Sequence, residues 1–346
     1  MSTLNVNNIA ERTADSGVTI EGVLFKDSQI NSSDIFTRRN YIINGNFDIW
    51  QRGTSFGSDA GYTADRWRNN LNGGTIARDQ GSFTVGQTDV PNNPQYYYDF
   101  NRTVANTATN LFLEQRIENV RTLSSETATV SFWAKYTSNA PTSLNIRFLQ
   151  NFGSGGSSAV GTNLTTTQTL TTSWTKYTYT ATIPSISGKT VGAGSYLAIQ
   201  FQNANLEVFD IQIAQVQVEK GSVATDFETL SIAETQSLCN RYYQLYIEGI
   251  QAIMTGAYYS STALVGVINF EEMRVAPSIE VVTGTNYYRF WRNNTSDDFN
   301  DFGGSGAAGK KSANLQTNSN VSGTAGQSGS VWGNNANAKI SLDAEL

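Results

Sequence analysis

Apolar and polar residues alternate in short runs along most of this chain, as in Thr129 to Phe132, Leu144 to Phe148, Trp174 to Tyr179 and Val208 to Val218. Polar, Gly-rich turns separate the runs, and alternation with β-branched and aromatic enrichment predicts antiparallel strands. The run VFDIQIAQVQVEKG alternates most cleanly, placing Ile211, Ile213, Val216 and Val218 on one face, with Ala214-Gln215 as a bulge that resets the register. Many short strands favour an all-β sandwich or jelly roll. One segment departs from the pattern. Ser231 to Glu234 matches a capping box, and Leu238, Cys239, Tyr242, Leu245 and Tyr246 follow at helical spacing up to Gly249, which predicts a helix over 231–247 within a linker at 230–249. A second β-rich stretch, 250–346, contains a loop-like region from Asn293 to Ser330 and ends in a terminal strand, AKISLDAEL. The first 38 residues hold two short apolar patches, VNNI and VTIEGVLF, too few to bury a core alone, so this arm is expected to pack on a partner.

Composition narrows the function. Of 346 residues, 39% are hydrophobic and 11% aromatic, which supports two domains at ~100–200 residues each, or three if one is small. No apolar run is long enough to span a bilayer, and MSTLNVNNIAERT lacks a basic stretch followed by an apolar one, so no signal peptide and no membrane insertion are expected. A net charge of −6, with only the isolated pairs Arg38-Arg39 and Lys310-Lys311, argues against a nucleic-acid partner. The lone Cys239 forms no internal disulfide, which fits maturation in a reducing compartment. The chain has no histidine, which removes histidine-based triads, dyads and the usual zinc sites, leaving only paired carboxylates for catalysis. Of the carboxylates, Asp65 stands beside Arg66, and Asp297, Asp298 and Asp301 read as a solvated acidic loop. No period of a solenoid appears.

Flat aromatic faces flanked by amides and carboxylates suit sugar rings. Tyr96, Tyr97, Tyr98, Tyr62, Trp50 and Trp291 are the candidates for such contacts, within a wider aromatic set that includes Phe152, Tyr287, Tyr288 and Trp332. Trp133 and Trp174 read as core residues, and Trp67 as one that packs or orients its turn. In the Tyr96 to Tyr98 run, consecutive aromatics must point to both faces of a strand, so at least one faces outward. Asn92, Asn93, Gln95 and Asp99 would supply its polar partners; packing on an adjacent protomer accounts for an outward tyrosine equally well.

RNYIINGNFDIWQRGTSF followed by YTADRW resembles the opening of the carbohydrate-binding jelly-roll module of bacteriophage tail-fibre and virion structural proteins. VSFWAKY, FDIQIAQVQVEKGSVATDFE and SLCNRYYQLY follow in the order of that module; ERTADSGVTIEGVLFKDSQI is similar to its preceding attachment segment, and FEEMRVAPSIEV with the final DAEL to a small C-terminal β domain. The resemblance implies an extended attachment arm at 1–38, a jelly-roll sandwich at 39–229, the linker helix and a second small β-sandwich at 250–346. It implies a homotrimeric tail-fibre subunit of the virion, assembled in the host cytoplasm, attached through residues 1–38 to other phage tail or capsid proteins and binding host-surface polysaccharide without catalysis. No cofactor is required; the family's structural calcium would fall on Asn44, Asp48 and Asp210. The alternative is a decoration or cement protein of the capsid or tail without glycan binding, and an endoglycosidase is the remaining class.

Overall fold

The computed structural model describes residues 38–346 apart from 58–59, 71–74, 105–110, 142–143 and 204–206, with backbone alone at 304–307, together with the backbone of four short strands nearer the N-terminus. Those strands, Val18–Ile20, Val23–Lys26, Gln29–Ile30 and Ser33–Asp34, pair antiparallel in chain order. This part of the expected extended arm is therefore a small meander. The rest of residues 1–37, and with it most of the expected attachment segment, lies outside the described residues.

The first domain is a sandwich of two six-stranded antiparallel sheets. One runs, edge to edge, Val160–Gln168, Leu144–Asn151, Tyr196–Asn203, Leu111–Glu118, Trp67–Asn70 and Gly61–Tyr62; the other runs Thr175–Thr182, Thr127–Tyr136, Phe209–Lys220, Tyr96–Val104, Thr75–Ser82 and Ser55–Phe56. The chain crosses repeatedly between the layers, with only a few hairpins such as Thr75–Ser82 to Tyr96–Val104 staying within one sheet, giving jelly-roll connectivity. The alternation seen in the sequence sets which side chains meet: Phe132 from one sheet and Phe201 from the other pack edge to face at 4.9 Å, and Trp67, Phe100, Ile146 and Ile213 fill the same core. The bulge lies where the sequence suggests, with the pairing between Thr127–Tyr136 and Phe209–Lys220 shifting beside Gln215, whose φ of 48° is left-handed.

The helix spans Ile232–Asn240, and both bonds of the Ser231–Glu234 capping box are formed. It is shorter than the expected 231–247. Tyr243–Glu248 instead forms a strand on Lys339–Asp343, because Tyr243, Leu245 and Ile247 also fall at strand spacing and an available edge overrides the helical spacing. That strand opens the second domain, a three-stranded sheet packed on a seven-stranded one. The expected loop from Asn293 to Ser330 is also corrected. It contributes Thr295–Phe299, Gly304–Ala308, Ser312–Thr317 and the start of Ser328–Gly333 to the larger sheet. A few buried side chains, among them Phe299, Leu315 and Val331, anchor these strands, and their open faces carry the Ser, Asn and Gly that read as loop.

The end of the chain ties the domains together. Arg66, 1% exposed, bonds the Glu345 carboxylate and lies 3.5 Å from the Tyr242 ring centroid, while Arg52 lies over Tyr243 at 3.6 Å and bonds Asp343 at 3.1 Å. Asp65 accepts the Gln51 backbone N–H at 3.0 Å and its side-chain amide at 2.5 Å. The Asp65-Arg66 pair is thus part of the joint between domains. Asp297 and Asp298 sit in a strand, paired with Arg292 and Arg289, rather than in a free acidic loop.

Candidate functional site

Strand parity separates the tyrosine run. In Tyr96–Val104, Tyr98 and Phe100 point into the core, whereas Tyr97 and Asp99 rise from the outer face. Tyr97 lies across Gly81 on the neighbouring strand, where a Cβ would stand 2.0 Å from the ring, so the missing side chain lets the ring lie flat against the sheet. Trp174 and Phe83 close over it. Phe83 is 5.0 Å from Tyr97 and from Trp174, and Tyr97 is 5.6 Å from Trp174, with the Lys135 ammonium 5.3 Å from the Trp174 ring.

Beneath this trio a polar row crosses the sheet. Lys135, Gln212, Asp99 and Asp79 occupy directly opposed positions on four successive strands, and Asp210 stands one position along from Gln212 on the same face. Gln212 donates to Asp99 at 3.2 Å and to the Tyr97 hydroxyl at 3.4 Å, tying the row to the rings. Burial, reinforced by the nearby Asp210 and Asp79 charges, raises the Asp99 carboxyl to about 6 despite the Gln212 hydrogen bond. Two carboxylates directly opposite across a strand pair repel each other. Further along the face, Trp133, Lys176, Gln215, Asn92 and Phe227 line a cleft of about 170 Å³.

The other expected site residues lie elsewhere. Tyr98 is fully buried, its hydroxyl 2.8 Å from the Thr63 hydroxyl and donating to Asn69 at 2.7 Å. Trp50 stacks on Tyr98 at 5.5 Å and donates its indole N–H to the Phe47 carbonyl. Tyr62 donates to the Leu346 carbonyl at the domain joint, Tyr96 accepts from Gln95 at the start of its strand, and Trp291 stands on the second domain. Trp133 and Trp174, expected in the core, belong to the outer face instead. The signal was present in the sequence: Trp174 shares parity with Lys176 and Thr178, opposite to the inward Tyr177 and Tyr179, and Trp133 shares it with Ser131 and Lys135. Phe83, Gln212 and Asp79 carried no local signal, since only the pairing brings them together.

The expected calcium ligands do not converge. Asn44 spends its side chain bracketing its own turn, donating to the Ile49 and Asp65 carbonyls and accepting the Ile49 N–H. Asp48 accepts from Asn46 at 3.0 Å, and Asp210 accepts from Thr137 and Ser138. Val216, which donates to the Gly45 carbonyl beside that turn, lies six residues from Asp210 along one strand, about 20 Å at strand rise. Among the described residues no group of three or more His, Cys, Asp or Glu side chains is arranged to hold a metal.

The opposite sheet presents a different face. Arg68, Glu114, Gln200 and Arg147 form one row across four strands; Glu114 accepts from Arg68 at 3.1 Å, from Arg116 at 2.9 Å and from Gln200 at 2.5 Å, and Arg147 donates to Gln200 at 2.7 Å. These groups satisfy one another, and Arg116 covers the Tyr196 ring at 4.3 Å.

No known family profile and no curated protein matches the sequence. Among solved structures, the C-terminal family 22 carbohydrate-binding module of Clostridium thermocellum Xyn10B is similar over 55% of this chain and 98% of its own, at 13% identity and a TM-score of 0.35. A family 4 carbohydrate-binding module matches over 51% of this chain and 98% of its own, at 24% identity and a TM-score of 0.30. The enzymatically active domain of tailspike protein 4 of bacteriophage CBA120 matches over 55% of this chain and 22% of its own, at 15% identity and a TM-score of 0.31. Likeness at these scores assigns no ligand, and the functional reading rests on the residues of the outer face itself.

Proposed function

We propose that this chain binds a neutral carbohydrate without cleaving it, through the face built on Tyr97, Trp174, Phe83, Asp99 and Gln212, as a subunit of a phage tail fibre. The observation that carries the binding reading is the aromatic trio, with rings 5.0–5.6 Å apart, set on a row of amide and carboxylate groups outside the core. Rings take the apolar faces of a sugar, and Asp79, Asp99, Asp210 and Gln212 take its hydroxyls. Three carboxylates against one lysine disfavour an acidic polymer. A glycosidase places its two carboxyl groups on either side of the scissile bond; Asp79 and Asp99 rise side by side from adjacent strands, beneath one side of any bound sugar.

The appendage reading is supported by the collinear motifs and by the separate N-terminal segment. Residues 1–38 would dock into another tail or capsid protein, and a homotrimer would multiply weak single sites into useful avidity on a repetitive host polysaccharide. A glycan array probed with the full chain, followed by calorimetric titration of the neutral hits, tests the binding reading. Tyr97→Ala and Trp174→Ala are each expected to weaken binding roughly tenfold with unchanged melting temperature and no release of reducing ends by any form. Binding that survives both substitutions but is lost in Arg147→Ala would move the site to the opposite sheet and overturn the assignment. Deleting residues 1–38 is expected to spare binding and abolish incorporation into particles.

A further inference from the structure

The second domain exposes two tryptophans on one face. Trp291 is 47% and Trp332 37% exposed, and the pairing of Tyr288–Arg292 with Ser328–Gly333 sets Trp291 opposite Ser330 and Arg289 opposite Trp332, so the two indoles stand diagonally on adjacent strands. Both are held. Trp332 donates its N–H to the Ser330 hydroxyl at 2.8 Å, and the Arg289 guanidinium, 5.0 Å from the Trp291 ring, is clamped by both oxygens of Asp298 at 2.5 and 2.8 Å. The cross-strand row continues from Ser330 to Thr255, where a groove of about 590 Å³ opens, lined by Thr255, Ser328, Val267, Tyr246 and Asn269 among others. That volume falls within the range of small-ligand clefts.

We infer that this face is a second carbohydrate site, independent of the one on the first domain, which takes a neutral linear glycan across the strands with sugar rings on Trp291 and Trp332 and hydroxyls bonded in the groove. The chemistry between the indoles selects this occupant. Docking a second copy of the chain would strip water from the Arg289–Asp298 pair and from the groove hydroxyls without replacing their bonds. A sugar brings its own hydroxyls to these groups while covering the indole faces. The charges on the face cancel locally, which suits a neutral ligand.

The test is affinity electrophoresis of the full chain through gels containing β-glucan, xylan, galactomannan or dextran. Tyr97→Ala/Trp174→Ala is expected to keep retardation in at least one gel, and adding Trp291→Ala/Trp332→Ala to weaken that remainder roughly tenfold or more. Trp291→Phe/Trp332→Phe in the same background is expected to keep most of it. All positions are at least partly exposed, and melting curves verify folding. A Tyr97→Ala/Trp174→Ala protein that migrates as in a blank gel would overturn the inference while leaving the first site standing. Loss of all retardation through Trp291→Ala/Trp332→Ala alone would uphold this site and remove the first. Wild-type self-association in sedimentation that these two substitutions abolish, with retardation unchanged, would give the face to a second copy and overturn the inference.

Discussion

Replacing Asp99 by Asn removes a carboxylate from a place where the fold opposes its charge. Burial and the neighbouring Asp210 and Asp79 raise this carboxyl from 3.8 to about 6. Because the folded pKa is the higher one, both states hold the proton below about pH 3.8 and the group costs nothing; between 3.8 and 6 the unfolded chain loses its proton first, and above about 6 the full cost is present. At 1.36 kcal/mol per pKa unit the cost would reach about 3 kcal/mol, and solvent screening of a partly exposed carboxylate brings it to roughly 1–1.5 kcal/mol. Asp99→Asn is therefore expected to be more stable than wild type by that amount at pH 7.5, with the gain fading to zero near pH 4, and to bind glycan more weakly because an acceptor facing the ligand is lost. Urea unfolding of both proteins from pH 4 to 7.5 measures the first effect and calorimetric titration the second. A stability difference that is absent at pH 7.5, or independent of pH, would mean that the fold does not oppose the Asp99 charge.

Gly81→Ala puts a Cβ where the Tyr97 ring lies, so glycan titration is expected to show the same loss as Tyr97→Ala, and undiminished binding would dissociate ring position from affinity. Glu345→Ala leaves the buried Arg66 charge without its carboxylate and is expected to cost roughly 3–5 kcal/mol in urea unfolding; a cost under about 1 kcal/mol would mean the chain end does not lock the domains. Tyr98→Phe loses a hydroxyl bonded at 2.7 and 2.8 Å, so a melt is expected to show about 1–2 kcal/mol of destabilisation with binding intact, the opposite pattern to Tyr97→Ala.

The all-β class, the crossing bulge and the Ser231 cap could be read in the residues because each is a local pattern: alternation, a slipped register, and a hydroxyl three positions before a glutamate. The limits of the helix could not, since Tyr243 to Glu248 becomes a strand only through an edge supplied about ninety residues later by Lys339–Asp343. Ser- and Gly-rich strands such as Ser328–Gly333 are hidden for the same reason, since their partners Ala252–Ser260 and Tyr288–Arg292 lie far away in the sequence. Of the candidate site, the outward member of the tyrosine run followed from strand geometry, and Trp174 could have followed from parity. Gln212, Asp79 and Phe83 join Tyr97 only through strand pairing and a loop closing over the face, and Asn44 and Asp48 stand apart from Asp210 because their turn docks beside Val216, six residues along the strand from Asp210.

The most direct test is to follow the six indole N–H signals of the chain by nuclear magnetic resonance while a bound neutral oligosaccharide is added, assigning each from its Trp→Phe variant. The Trp174 signal is expected to shift on titration, with Trp133 following if the glycan extends into its cleft. The signals of Trp67 and Trp50, whose N–H groups donate to the Asn44 and Phe47 carbonyls inside the fold, are predicted to stay in place. Saturating binding that leaves the Trp174 signal unmoved would contradict the assignment of this face.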